Sequence, residues 1–175
     1  MRHFILLVFI FIFGNIQAQE VAGVSFGMSY KQCKAILDKK FNNGDRSYQS
    51  ESNKLRYCDI LFAGESFSSV LFEFQSDTKG TYLNFISFQK RFNLNEVEEA
   101  KAASDRLVDL YSQKYGKGPS FIRKDGFKEY YFPYGNIPDF IVIFTYKGKS
   151  LMGGMYIWTK VIYGPVNVIN PTDEI

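Results

Sequence analysis

Histidine is almost absent. The chain has one, His3, and it lies in a segment that reads as a removable leader. The mature protein is thus expected to have none, which removes Ser-His-Asp and Cys-His nucleophilic arrangements, histidine general bases, and nearly all zinc, copper and non-haem iron sites. A Gly-rich phosphate loop, an EF-hand run and a G-x-S-x-G elbow are missing too. No metal, no cofactor and no enzymatic activity are expected.

Long hydrophobic runs are also lacking. The longest, Phe4 to Phe13, follows the cationic start Met1-Arg2-His3 and precedes Gly14-Asn15-Ile16-Gln17-Ala18. That order is a signal-peptide pattern, and the run is well short of the ~20 residues a membrane helix needs. Met1 to Ala18 is therefore expected to be removed on export to the periplasm or beyond, leaving neither a membrane span nor, without a junction cysteine, a lipid anchor. Charge of one sign is scarce as well: without Arg2, 20 basic residues face 18 acidic ones, a formal charge of +2. The signs are interspersed, with no basic stripe for nucleic acid and no polybasic helix for an anionic membrane.

The remaining residues, about 157, suit one domain able to bury roughly 70% of its unfolded surface. We expect a single α+β domain over 19–169, with halves at about 21–92 and 93–163 and a loose tail at 170–175. Ser29 to Lys40 places Tyr30, Cys33, Ile36 and Leu37 at helical spacing behind Ser29 as N-cap. Asn42 to Asn53 is polar loop. Three strands follow at Leu55 to Phe62, Phe67 to Gln75 and Tyr82 to Arg91, with turns short enough for an antiparallel meander. A second helix runs from about Asn95 to Tyr115, acidic in its first turn and closed by Gly116. Strands resume at Ser120 to Lys124, Lys128 to Phe132, Phe140 to Lys147 and Leu151 to Tyr163. The reading is two helices on one face of an antiparallel sheet of about six to seven strands.

The halves rhyme. Val70-Leu71-Phe72-Glu73-Phe74 precedes Val142-Ile143-Phe144-Thr145-Tyr146 by 72 positions, and the same offset carries Leu83-Asn84-Phe85 onto Met155-Tyr156-Ile157. This points to a tandem duplication. The run Val24-Ser25-Phe26-Gly27-Met28-Ser29 entering a helix, then Tyr57, Ala63-Gly64 and a Phe-rich strand, resembles small exported proteins of Gram-negative bacteria. Their tandem helix-plus-sheet fold is similar to that of β-lactamase-inhibitor proteins and of the SmpA/OmlA outer-membrane assembly lipoproteins. The resemblance implies the fold and an envelope-associated role. It departs in lacking the lipobox cysteine and any residue set marking β-lactamase binding.

Cys33 and Cys58 are the only cysteines. An oxidising compartment allows them to pair, and two small buried thiols is the other reading. Carboxylate hydrolysis needs no histidine, so Asp59, Glu73, Glu129 and Asp139 stand as acids beside strands, against their plainer role as solvated edge and turn residues.

Strand phase carries the functional expectation. If Val70, Phe72, Phe74, Val142, Phe144 and Tyr146 face the helices, Leu71, Ile141 and Ile143 face away. The 72-residue offset then puts Leu83, Phe85, Met155 and Ile157 inward and leaves Ile86, Phe88, Tyr156 and Trp158 outward. Helices on one side of an antiparallel sheet normally leave the other side polar. An apolar outer face would instead mark a surface docking a protein, peptide or glycan, unless the sheet curls or the tail or a twin subunit covers it. An envelope assembly or scaffold role, and a carboxylate-dependent hydrolase, are the alternatives. The candidate binding residues are Leu71, Ile86, Phe88, Ile141, Ile143, Tyr156 and Trp158.

Overall fold

The structure, a computed structural model, describes residues 20–41, 53–78, 80–134, 137–150 and 153–165, without the side chains of Tyr134, Pro138 and Asp139. The expected leader, most of the Asn42 to Asn53 loop, and the tail lie outside the described residues. The architecture is α+β: two helices, a seven-stranded antiparallel sheet and a small two-stranded sheet. A hairpin of β1 (Glu20–Val21) and β2 (Val24–Ser25) leads into α1 (Tyr30–Lys40). Then come β3 (Lys54–Phe62), β4 (Glu65–Asp77), β5 (Gly80–Phe92) and α2 (Val97–Tyr115). The chain continues through β6 (Ser120–Ile122), β7 (Lys128–Tyr134), β8 (Ile137–Lys149) and β9 (Met155–Tyr163). Strand order is β3-β4-β5-β9-β8-β7-β6, so the last strand of each half meets at the centre. Among the described residues no helix is long and apolar enough to cross a membrane.

Local chemistry explains the element ends. The Ser29 hydroxyl accepts from Gln32 N while the Gln32 side chain accepts from Ser29 N, a capping box that satisfies two otherwise orphaned donors. Gly116, at φ 81°, takes the left-handed turn that stops α2 and donates its N–H to Ser112 O at 2.9 Å. Ala63 and Gly64 both have positive φ, the demand of a tight two-residue hairpin, and they join β3 to β4.

Both helices lie on one side of the sheet. Tyr30 of α1 packs edge-on against Phe74 at 5.1 Å, and the Tyr57 hydroxyl donates to Asp38 at 2.7 Å. From α2, Tyr111 shares a short hydroxyl hydrogen bond with Tyr163. The Thr159 hydroxyl donates to the Ala100 carbonyl at 3.3 Å and lies 2.9 Å from that of Thr145. Small residues Ala100, Ala103 and Ser104 let α2 come this close, and all three are buried. The core between the layers contains Leu37, Leu55, Tyr57, Val70, Phe72, Leu83, Leu107 and Phe132, each at most 3% exposed. A fully buried side chain of this size contributes about 1.5–3 kcal/mol.

Register fixes which side each strand residue takes, because directly opposed residues share a face. Tyr163, bonded to α2, stands opposite both Ile86 and Ile141. Ile86, Phe88, Ile141 and Ile143 are therefore inward, each at 0% exposure, and the outward placement expected for them is corrected. Two causes are visible. Between Leu83 and Phe85 the pairing with β4 skips Asn84, a bulge that reverses the phase of β5 and turns Phe85 outward opposite Glu73. In β8 the run Ile141-Val142-Ile143-Phe144 is apolar on both sides, so periodicity cannot set its phase. Val142, Phe144 and Tyr146 consequently face outward, contrary to expectation. The 72-residue rhyme thus joins residues of opposite faces. Leu71, Tyr156 and Trp158 do face outward, and Leu83 and Ile157 inward, as expected.

Candidate binding face

The outward side is ordered by register into rows that cross the strands. One runs Phe121, Glu129, Phe144, Lys160, Gln89, Ser69, Cys58. The next runs Tyr131, Val142, Ile162, Ser87, Leu71, Arg56. On the other flank stand Tyr146, Trp158 and Arg91 in line, then Gly148 opposite Tyr156. The face is divided: β3 to β5 carry mainly polar residues, whereas β6 to β9 carry a carpet of rings.

Glycine seats two of those rings. A Cβ on Gly148 would lie 2.6 Å from the Tyr146 ring, and one on Gly154 would lie 2.8 Å from the Tyr156 ring, so bare backbone is what lets both rings lie down. Trp158 is wedged between them, 9% exposed, 6.2 Å from Tyr156 at 70°, with its indole N–H donated to Gly148 O at 3.2 Å. Tyr146 stacks with Phe144 at 5.6 Å, and Phe121, 60% exposed, meets Tyr131 edge-on at 5.7 Å. Tyr146, Tyr156, Phe144, Val142 and Ile162 are all half-buried.

Cations lie over the rings. Arg91 sits 4.9 Å from the centroid of Tyr156, Lys160 5.2 Å from Tyr146, and Arg123 5.3 Å from Phe144, all within cation–π range. Arg123 is neutralised by Glu129, which it meets at 3.1 Å and which also accepts from the Tyr131 hydroxyl at 2.9 Å. Among the described residues neither Arg91 nor Lys160 has a carboxylate within ion-pair range. Two positive charges with no carboxylate among the described residues thus stand at the border between the aromatic and the polar parts of the face.

The other expected sites come apart. Cys33 belongs to α1 beneath the sheet and Cys58 to the outer face, so the sheet separates them and they are not bonded to each other. Burial pushes the Cys33 thiol up to about 12, which keeps it an inert core group. Of the acids, Glu73 and Glu129 are four strand spacings apart and four residues out of row, roughly 23 Å, against the ~5–9.5 Å of a glycosidase pair. Asp59 lies beside the Ser69 pairing of β3, five residues short of Glu73, or ~17 Å along the strands. The Asp139 side chain lies outside the described residues. A cavity of about 210 Å³ between α2 and the Gly126 turn, lined by Lys101, Ser104, Asp105, Lys128 and Tyr130 among others, is below the ~300 Å³ of a usual ligand pocket.

Arg91 and Lys160 were not among the residues singled out from the sequence, and Phe144 and Tyr146 were expected on the helix side. The signals that could have found them are Gly148, near the end of β8, and Gly154, in the turn just before β9. Comparison with protein-family models, curated proteins and solved structures finds no match.

Proposed function

We propose that this is an exported, non-catalytic binding module that docks a protein, peptide or glycan through the outer face of β8 and β9. One observation carries the reading: rings and cations with no carboxylate partner among the described residues share a face on which neither helix packs. Tyrosine, tryptophan and arginine are the residues that dominate binding energy at interfaces, and a sheet that holds its helices with one apolar face does not need a second to do so.

The test uses Tyr146→Ser and Tyr156→Ser in separate proteins. Half-buried rings on a free surface can be removed with a change in Tm of no more than about 3 °C, while capture of a ligand from the exported fraction of the source cells falls. Equal capture by wild type and both variants refutes the reading, and a loss of cooperative melting assigns these rings to the core instead.

A further inference from the structure

We propose that the ligand is an extended acidic peptide segment of a partner protein, presenting two carboxylates on alternate residues followed by an apolar residue. This rests on the outer face being the docking surface, and the argument for the class is charge and spacing. Arg91 stands opposite Trp158, and Lys160 is two residues further along β9, so their backbone positions are diagonal neighbours roughly 7–8 Å apart, from which the guanidinium reaches over Tyr156 and the ammonium over Tyr146. In an extended peptide, side chains two residues apart point the same way at ~6.6 Å. Two acidic side chains in an acid-x-acid pattern therefore reach both cations at once.

The same diagonal continues to Val142, beside Ile162 and Tyr131, where the next inward side chain of the peptide would land. An apolar residue is what that position accepts. The motif is thus acid-x-acid-x-apolar.

Two other polymers fit worse. A nucleic acid strand binds through a long row of phosphate contacts, and this face offers two cations. A sugar polymer needs partners for its hydroxyls, since desolvating them unpaired is costly. Several of those partners are committed here: the Trp158 N–H is held by Gly148, the Tyr131 hydroxyl by Glu129, and Ser69 and Ser87 are at most 2% exposed.

Trp158 is the sole tryptophan, so its fluorescence reports on this face alone. The full chain is titrated with a synthetic peptide containing Glu-Ser-Glu-Ser-Leu, with its isomer Glu-Glu-Ser-Ser-Leu, with polygalacturonate and with a thymidine oligonucleotide. The expected result is a saturable change with the first peptide, weakened by added salt, and weaker with the isomer, whose adjacent acids point to opposite sides. Arg91→Gln and Lys160→Gln each weaken it roughly two- to fivefold with unchanged Tm. Equal binding of the isomer overturns the spacing. Binding of polygalacturonate or the oligonucleotide but not the first peptide overturns the ligand class and leaves the docking face standing. No response to any probe, together with undiminished capture by Tyr156→Ser, overturns both.

Discussion

Glu65 is the group whose loss should be felt most relative to its exposure. It opens β4 just after the Ala63-Gly64 turn, forms an ion pair with Lys90, and accepts from Arg106 Nε at 3.2 Å. Lys90 lies on the helix side of β5, 8% exposed, with its ammonium 5.4 Å over the Phe67 ring. Glu65→Gln leaves that ammonium without a carboxylate. Breaking a fully buried pair costs about 3–5 kcal/mol. Glu65 keeps 20% of its side chain in solvent, which lets Lys90 recover part of its hydration and reduces the expected cost to about 2–3 kcal/mol, or about 5–10 °C in Tm for a chain of this length. Arg106→Ala serves as the control: with 58% of its side chain exposed, its half of the cluster is worth less than about 1 kcal/mol. The double change Glu65→Gln with Lys90→Met removes the stranded charge and should recover most of the loss.

Acidity adds a second check on the same group. The hydrogen bond from Lys90 is the main influence holding the Glu65 carboxyl below its ordinary range, against the opposing push of burial and with further help from Arg106. A folded pKa below the unfolded one means the stabilisation is complete above the ordinary value of about 4.3 and disappears as pH falls through the folded one. The gap between wild type and Glu65→Gln in urea melts should therefore be constant from pH 7 to about 5 and close below about 4. A Glu65→Gln protein no less stable than Arg106→Ala at pH 7 would refute the account of Lys90 as a buried charge.

Two further outcomes are expected. Thr159→Val keeps the volume but strips the hydroxyl shared by Thr145 and the Ala100 carbonyl, and should cost about 1–2 kcal/mol in urea unfolding. Gly118→Ala places a Cβ 1.5 Å from the Tyr131 carbonyl oxygen. The Pro119 pairing to Tyr131 N must then open, which amide exchange at Tyr131 would report as lost protection.

Most of the fold was legible because its elements follow local rules. Ser29 and Gln32 announce the start of α1, Gly116 the end of α2, and Ala63-Gly64 a hairpin, and each does so through backbone chemistry that needs no tertiary context. The seven strands of the main sheet were found for the same reason, whereas the short β1–β2 hairpin was not. The faces of the seven strands were not. A single skipped residue, Asn84, reverses every side chain after it in β5, and nothing about an asparagine between Leu83 and Phe85 marks a bulge. In β8, four successive apolar residues satisfy either phase. What settles it is Thr145, whose hydroxyl meets Thr159 beneath α2, a contact between residues 14 apart that no periodicity contains. Of the candidate surface, Tyr156 and Trp158 were correctly placed, while the cations that give the surface its character were visible only once Arg91 and Lys160 were set beside their rings.

The sign of charge on the outer face follows from the rings. A carpet of half-buried aromatics on a free sheet face invites self-association, and charged neighbours of either sign would oppose it. The chain has 18 acidic residues available against 21 basic ones, yet all three charges stacked on Tyr146, Tyr156 and Phe144 are positive, because the face of a π system is negative and attracts cations alone. Solubility by itself is equally served when such a cation is neutralised, as Arg123 is by Glu129. It gives no reason for Arg91 and Lys160 to stand without a carboxylate among the described residues. Holding two positive charges outside ion-pair range of every carboxylate among the described residues, on a support of rings fixed by Gly148 and Gly154, suits the proposed docking of an anionic ligand, and preorganisation of that kind raises affinity by lowering what must be ordered on binding.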